Sequence, residues 1–163
     1  MVLYIQKQGT QNKYKRRGKV KMKKKNKNTN NKVKCFVYGT LMKNNSNNGF
    51  LSDAKYICDA TIPRHICFDL PYGFPMVIDI GVEIDNYVLG EVWEVDVRDL
   101  DRLDMLEGYN KHTDDGMYLR RQIIATDTNG KEYMAYYYVW NRDLVKGSFI
   151  VPTATKWNRD GIY

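Results

Sequence analysis

Asp96-Val97-Arg98-Asp99-Leu100-Asp101-Arg102-Leu103-Asp104-Met105-Leu106-Glu107-Gly108-Tyr109 is the stretch around which the chain is organised. It predicts one short amphipathic helix. Asp96 is placed to cap the start, with Asp99 three residues on as a capping-box variant. Leu100, Leu103 and Leu106 recur at helical spacing and make an apolar stripe. Gly108 supplies a C-terminal stop. Glu107 follows Leu103 by four positions and so stands over that stripe. The negative end of the helix dipole disfavours a carboxylate there, and partial burial disfavours its ionised form. Both raise its pKa toward the range a general base needs at neutral pH. The helix alone equally allows an ordinary exposed carboxylate at a frayed end. Asp101 reads as solvent-facing, and Asp104 as a surface charge on the flank of Leu103.

The segments around this helix read as strands. Val33–Tyr38 is an apolar, β-branched and aromatic run that stops at Gly39-Thr40. Ile57–Leu70 reads as strand, turn at Pro63, strand, with His65 inside the second strand in a packing or polar-contact role. Met76–Ile80 and Tyr87–Val95 are strands, the second leading straight into the helix. Tyr118–Thr126 and Glu132–Trp140 form a hairpin around Asn129-Gly130, the dipeptide best suited to a type I′ turn. With that dipeptide as the whole loop, Tyr138 falls opposite Arg121 and Trp140 opposite Leu119. About six strands to one helix, joined by short connections, favour antiparallel pairing. The expected fold class is α+β: a small mixed, mainly antiparallel β-barrel with flanking helices.

The chain has 163 residues, enough for one domain with a real core. Its net charge of +7 is unevenly placed. Residues 1–32 hold twelve Lys or Arg and no acid, whereas the rest holds fourteen against nineteen acids. The body is therefore mildly acidic, unlike a nucleic-acid-binding domain, whose basic surface lies on the fold. Residues 1–32 read as a disordered basic tail, 33–157 as the domain with Trp157 as an anchor, and 158–163 as a C-terminal tail. The tail reads either as a solvated extension, with Met22 as an alternative start, or as an electrostatic tether. No apolar run of about 18 residues is present, so no membrane span is expected. Nor does an apolar segment of signal-peptide type follow the basic start. Three cysteines, Cys35, Cys58 and Cys67, have no framework spacing, which points to a reducing, cytoplasmic setting. His65 and Cys67 alone are too few to bind a metal, and no metal is expected.

A second feature is Tyr38-Gly39-Thr40-Leu41 at the end of the first strand. A strand that breaks at Gly can turn sharply and free successive backbone N–H groups. Such groups form a nest suited to a carboxylate or oxyanion, and Thr40 adds a hydroxyl. The same tetrapeptide is also compatible with a plain strand end. Arg120 and Arg121 could contact a carboxylate ligand or pair with nearby acids. Tyr138 reads either as pocket lining or as core.

Four pieces in order resemble the γ-glutamylcyclotransferase-like family, in particular its γ-glutamylamine cyclotransferase branch. They are Phe36-Val37-Tyr38-Gly39-Thr40-Leu41, then Tyr72-Gly73-Phe74-Pro75, then Gly90–Val95 followed by Leu103–Tyr109, and finally Tyr118-Leu119-Arg120 with Tyr138-Val139-Trp140. The resemblance covers about Val33 to Asn141. It departs at Met42-Lys43-Asn44-Asn45, where many relatives carry a Gly-containing turn, and the basic tail lies outside it. It implies a small β-barrel with flanking helices and a cofactor-independent, metal-free intramolecular aminolysis of a small γ-glutamyl substrate, with release of 5-oxoproline. It implies Glu107 as the catalytic acid/base and Tyr38, Gly39, Thr40 and Leu41 as the substrate-holding loop, with Tyr138 and Arg120 as further substrate contacts. A monomer or weak dimer is expected, with no membrane partner and with nucleic acid entering only through the tail. The competing expectation is a non-catalytic binding or regulatory protein that keeps the fold and a small-carboxylate pocket. For the tail, the solvated reading predicts that deleting residues 1–32 leaves retention on DNA or RNA at low salt unchanged. A loss of retention would reveal a tether.

Overall fold

The structure, a computed structural model, describes residues 31–70, 72–82 and 85–144, together with the backbone of the short strands Trp157–Asn158 and Gly161–Ile162. The expected basic tail lies outside the described residues except for its last two positions. The same holds for the Trp157 anchor side chain and for the C-terminal tail, apart from the strand backbone just named.

In chain order, the strands are β1 (Lys32–Val37), β2 (Lys55–Pro63), β3 (His65–Asp69), β4 (Pro75–Asp79) and β5 (Tyr87–Asp96). The helix α1 (Leu100–Glu107) follows, then the two-residue strands β6 (Tyr109–Asn110) and β7 (Asp115–Gly116), then β8 (Tyr118–Asp127) and β9 (Glu132–Trp140). Five of them close into a barrel in the order β1-β5-β2-β8-β9. Its neighbours are antiparallel except at the closing seam, where β1 and β9 run parallel and share the ladder pair Cys35↔Tyr136. The mixed, mainly antiparallel barrel is therefore present. Among the described residues α1 is the single α-helix beside it, and the other helical pieces are one-turn 3-10 helices.

Alternation along the strands explains how the barrel buries both faces. Phe36 of β1 joins a cluster with Ala60, Ile62, Val88, Val92, Ala125 and Val139, to which all five barrel strands contribute. Its neighbours Cys35 and Val37 point the other way, into a second cluster with Trp93, Val95, Leu100 and Leu103. That second cluster is where α1 docks, so Cys35-Phe36-Val37 reads as one continuous apolar run because both sides are covered. The helix stripe behaves as its spacing predicts: Leu100 and Leu103 are buried and Leu106 is half-buried. Asp96 caps a 3-10 turn, Val97–Asp99, that precedes α1, accepting a hydrogen bond from the Arg98 amide.

Two details depart from the sequence expectation. The β2–β3 turn pivots at Arg64, whose φ is 62°, and β3 pairs with β4 in a separate two-stranded sheet rather than extending the barrel. There His65 is buried: Nδ1 donates to the Pro63 carbonyl (2.6 Å), and Nε2 accepts from the Tyr137 hydroxyl (2.8 Å). The β8–β9 register is shifted by one from the expected pairing, with Tyr138 opposite Arg120 and Trp140 opposite Tyr118. The reason is the loop. The Asp127 carboxylate accepts from the amides of Asn129 and Lys131, and the Asp127 amide reaches the Lys131 carbonyl (2.9 Å). This leaves a three-residue loop ending at Gly130, φ 78°, instead of a two-residue turn.

Gly90 of β5 lies directly under Phe36. A Cβ there would clash with the Val37 carbonyl oxygen and meet the Phe36 ring at 2.5 Å. Gly90→Ala is therefore expected to lower stability by roughly 2–3 kcal/mol through overpacking, read as a lower urea midpoint with an unchanged slope. An unchanged midpoint would show that the Phe36 contact is not tight.

Candidate functional site

The site begins where β1 runs out. After Val37 the chain turns at Gly39, whose φ of 66° lies in the left-handed region that suits glycine. Gly39–Leu41 then forms a one-turn 3-10 helix. Three asparagines hold this turn by its oxygen atoms. Asn45 Nδ2 donates to the Gly39 carbonyl (2.7 Å), Asn47 Nδ2 to Thr40 Oγ1 (3.1 Å) and Asn48 Nδ2 to the Leu41 carbonyl (2.9 Å). The Asn47 amide adds a bond to the Thr40 carbonyl (2.9 Å). As opening residues of the helical turn, Thr40 and Leu41 have no intrahelical acceptor for their own amides. No hydrogen bond among the described residues engages those amides. At the departure Met42–Asn45, Asn44 takes a positive φ of 66°, a conformation asparagine tolerates better than most residues.

The rim is anchored to the barrel by Glu91 of β5. This buried carboxylate accepts from the Trp93 indole Nε1 (2.8 Å) and from the Lys43 amide (3.1 Å). A buried carboxylate needs such partners, and here they come from the next same-facing residue of its strand and from the rim.

Glu107 arrives from the other side. It is the last residue of α1, which ends at Gly108 in the left-handed region, φ 65°. The half-buried Glu107 carboxylate has no hydrogen bond or ion pair with any described residue. Burial pushes its pKa up to about 7, and desolvation is the cause. The hydroxyl-bearing rings of Tyr38 and Tyr118 lie close enough that their ionisation is opposed by Glu107 as well as by burial.

Between these parts lies a cleft of about 140 Å³. Tyr38, Thr40 and Leu41 border one part of it, Leu106 and Glu107 another, and Tyr138 joins them from β9. Phe74, Pro75, Met117 and Tyr118 complete an apolar wall. The structure thus brings Tyr38, Thr40, Leu41, Tyr138 and Glu107 to one cavity. Gly39 is buried behind the turn and does not line it. Arg120 does not line it either: Nη1 contacts both oxygens of Asp104, at 2.8 and 2.9 Å. Arg121 pairs with Asp114 (2.7 Å).

Asp104 corrects the sequence reading. Expected as a surface charge, it is 4% exposed and also accepts from the Tyr138 hydroxyl (2.8 Å). The helix flank gave no hint, because its partners lie sixteen and thirty-four positions further on. Glu91 and the rim asparagines were likewise not singled out. The signal that could have found the asparagines is their density, three in four residues directly after a Gly turn.

The cleft thus sets a desolvated helix-end carboxylate against an amide-bearing turn at the end of a barrel strand. A model of the family described as γ-glutamyl cyclotransferase, AIG2-like, matches residues 35–159, and the chain belongs to that family. It is 29% identical over 109 residues to the γ-L-glutamyl-butirosin B γ-glutamyl cyclotransferase of Niallia circulans, covering 66% of this chain and 67% of the relative. It is 30% identical over 108 residues to a Methanocaldococcus jannaschii protein provisionally named as a γ-glutamylcyclotransferase, covering 64% and 82%. The crystal structure of a mouse AIG2-like protein superposes with a TM-score of 0.65 at 19% identity, over 80% of this chain and 90% of that one, which supports the fold. Family and relatives together support γ-glutamyl cyclotransferase activity in general. No helix among the described residues is long and apolar enough to cross a membrane.

The raised pKa of Glu107 has a consequence for stability. The folded state holds this proton more tightly than the unfolded chain, whose carboxyl titrates near 4.5. The stability it contributes is present below that value and is lost as pH rises to about 7. Glu107→Gln stays neutral throughout, so it is expected to be more stable than the wild type at pH 8 by roughly 1–3 kcal/mol, with little difference near pH 4. Urea titrations at the two pH values decide this, and identical pH dependence in both proteins would refute the desolvation.

Proposed function

We propose that the protein is a γ-glutamyl(amine) cyclotransferase that closes a γ-glutamyl unit to 5-oxoproline by intramolecular aminolysis, with Glu107 as the general acid/base. The observation that carries this reading is the shared cleft: the desolvated Glu107 carboxylate and the amide-bearing turn at Tyr38–Leu41 border the same small cavity. A raised pKa suits a group that must take a proton and then return it.

The chemistry needs little more. The α-ammonium of the glutamyl unit gives a proton to Glu107, and the freed amine attacks its own γ-amide carbonyl carbon. The tetrahedral oxyanion lies against the amides of Thr40 and Leu41, where donors fixed in advance stabilise developing charge. As the carbon–nitrogen bond to the leaving amine breaks, Glu107 delivers protons to that nitrogen. Both protons lost by the α-ammonium end on the leaving amine, which departs as an ammonium. Nothing is oxidised or reduced. Tyr38, Gly39, Thr40 and Leu41 hold the glutamyl unit, Gly39 by shaping the turn, and Tyr138 closes the cavity beside them. Arg120, held by Asp104, supports this arrangement from behind. Since nucleophile and electrophile belong to one substrate, the main task is to fold that substrate into attack geometry.

Purified full-length protein is expected to release 5-oxoproline from members of a γ-glutamyl amide panel, including γ-glutamyl-ε-lysine and γ-glutamyl dipeptides, detected by mass spectrometry. Glu107→Gln should lower kcat/KM by about 10²–10⁴ while keeping the circular dichroism of the fold. The base must be ionised, so wild-type kcat/KM should fall on the acid side with a midpoint near the Glu107 value of about 7. Full activity in the Gln variant would overturn the role of Glu107. Tight 5-oxoproline binding without turnover of any substrate would point instead to a binding protein.

A further inference from the structure

Arg120 and Tyr138 are directly opposite each other on β8 and β9. Both reach across to one carboxylate, that of Asp104 on α1: Arg120 Nη1 at 2.8 and 2.9 Å, and the Tyr138 hydroxyl at 2.8 Å. Asp104 is buried, and the Arg120 side chain is 17% exposed. Arg120 is further enclosed between the rings of Tyr109 and Tyr136, with its guanidinium carbon 5.5 and 5.4 Å from their centroids. Asp104 also serves the helix end directly, because its carbonyl accepts from the amide of the capping Gly108. Glu107 lies three residues after Asp104, on the same side of an eight-residue helix. The same cross-strand pair reaches the opposite wall of the cleft, where the Tyr38 hydroxyl donates to the Tyr138 carbonyl (2.5 Å). One rung of the β8–β9 ladder therefore holds the helix that bears Glu107 through Asp104, and the turn that faces it through Tyr38.

We infer that Asp104 is a positioning residue for Glu107: clamped by the Arg120–Tyr138 rung, it sets where the last turn of α1 places the Glu107 carboxylate relative to the Tyr38–Leu41 turn. A surface ion pair has no such reach, since it holds nothing in register. A buried carboxylate with three hydrogen bonds from two adjacent strands fixes both the depth and the rotation of a short helix. Burial alone raises the Glu107 carboxyl, so its titration reads how deeply the helix end is seated. Among the described residues, the phenols of Tyr38 and Tyr118 face it, both held neutral by burial.

This inference rests on the reading of Glu107 as the base, and its test separates the two. In the full chain labelled with ¹³C-Glu, the Glu107 carboxyl signal is identified by its loss in Glu107→Gln and titrated in Asp104→Asn. The Glu107 midpoint is expected to fall by at least about half a unit, because the helix end, no longer clamped, opens to water. On the best γ-glutamyl amide of the panel, kcat should fall about ten- to a hundredfold with KM within about threefold, as misplacement of a catalytic group predicts. Arg120→Met should show the same loss of kcat, and Arg120→Lys, which keeps a donor and the charge, should recover most of it. This pair decides the matter if Asp104→Asn does not fold. If Asp104→Asn and Arg120→Met lose thermal stability alone, with kcat and the Glu107 titration as in wild type, the inference is overturned. If the wild type turns over no γ-glutamyl amide, the cyclotransferase reading falls. The Glu107 titration of Asp104→Asn then still decides for or against positioning.

Discussion

The buried ion pair between Asp104 and Arg120 is what joins the α-helix to the barrel as more than an oily contact. Leucines bring a helix to a surface but allow it to slide or roll by fractions of an ångström, because apolar contact has little directionality. A carboxylate caught between a guanidinium and a phenol does not allow this. Such a pair gains its specificity at a cost in desolvation, so its value lies in fixing geometry more than in adding stability. The cleft depends on that fixation, because its two working walls belong to elements far apart in sequence, the end of β1 and the end of α1.

The barrel makes this meeting feasible through its closing seam. β1 and β9 share one parallel ladder pair, Cys35↔Tyr136. Beyond it a side-chain bond, Tyr38 hydroxyl to Tyr138 carbonyl, links the two elements. The chain leaves β1 at the point where regular pairing stops, and there its backbone amides become available. Glu91 and Trp93 then tie the rim back to β5. Within one short arc, the protein places a carboxyl that has no partner among the described residues, Glu107, beside buried acids whose partners are supplied, Asp104 and Glu91. The contrast follows from placement: Asp104 and Glu91 face donors, whereas Glu107 faces the cavity.

Much of this was legible in the sequence where local physics decides the outcome. The leucine spacing of α1, its glycine stop, the apolar run of β1 and the Gly break after Tyr38 all follow from propensity and period. Glu107 and the turn were legible as a pair only through the ordered resemblance to a family, since neither is distinctive alone. What escaped depended on distant or competing partners. The fate of Asp104 was decided by Arg120 and Tyr138, which no helical pattern reveals. The hairpin register turned on a single carboxylate, Asp127, which captured two loop amides and lengthened the turn by one residue. The left-handed Arg64, which diverts β3 out of the barrel, carries no glycine signal at all.

The asparagines around the Tyr38–Leu41 turn have one more effect. Asn45, Asn47 and Asn48 each hold an oxygen of that turn, and Asn47 also lines the cleft. The loop is thereby ordered when the chain folds, not when a ligand arrives. A loop that is already stiff loses little conformational entropy on binding, so more of the contact energy appears as affinity. The same stiffness makes the turn selective in shape, since it cannot relax around a ligand whose acceptor atoms are displaced. In this protein a row of neutral amide side chains, absent from any proposed chemical step, sets how much freedom the binding wall retains.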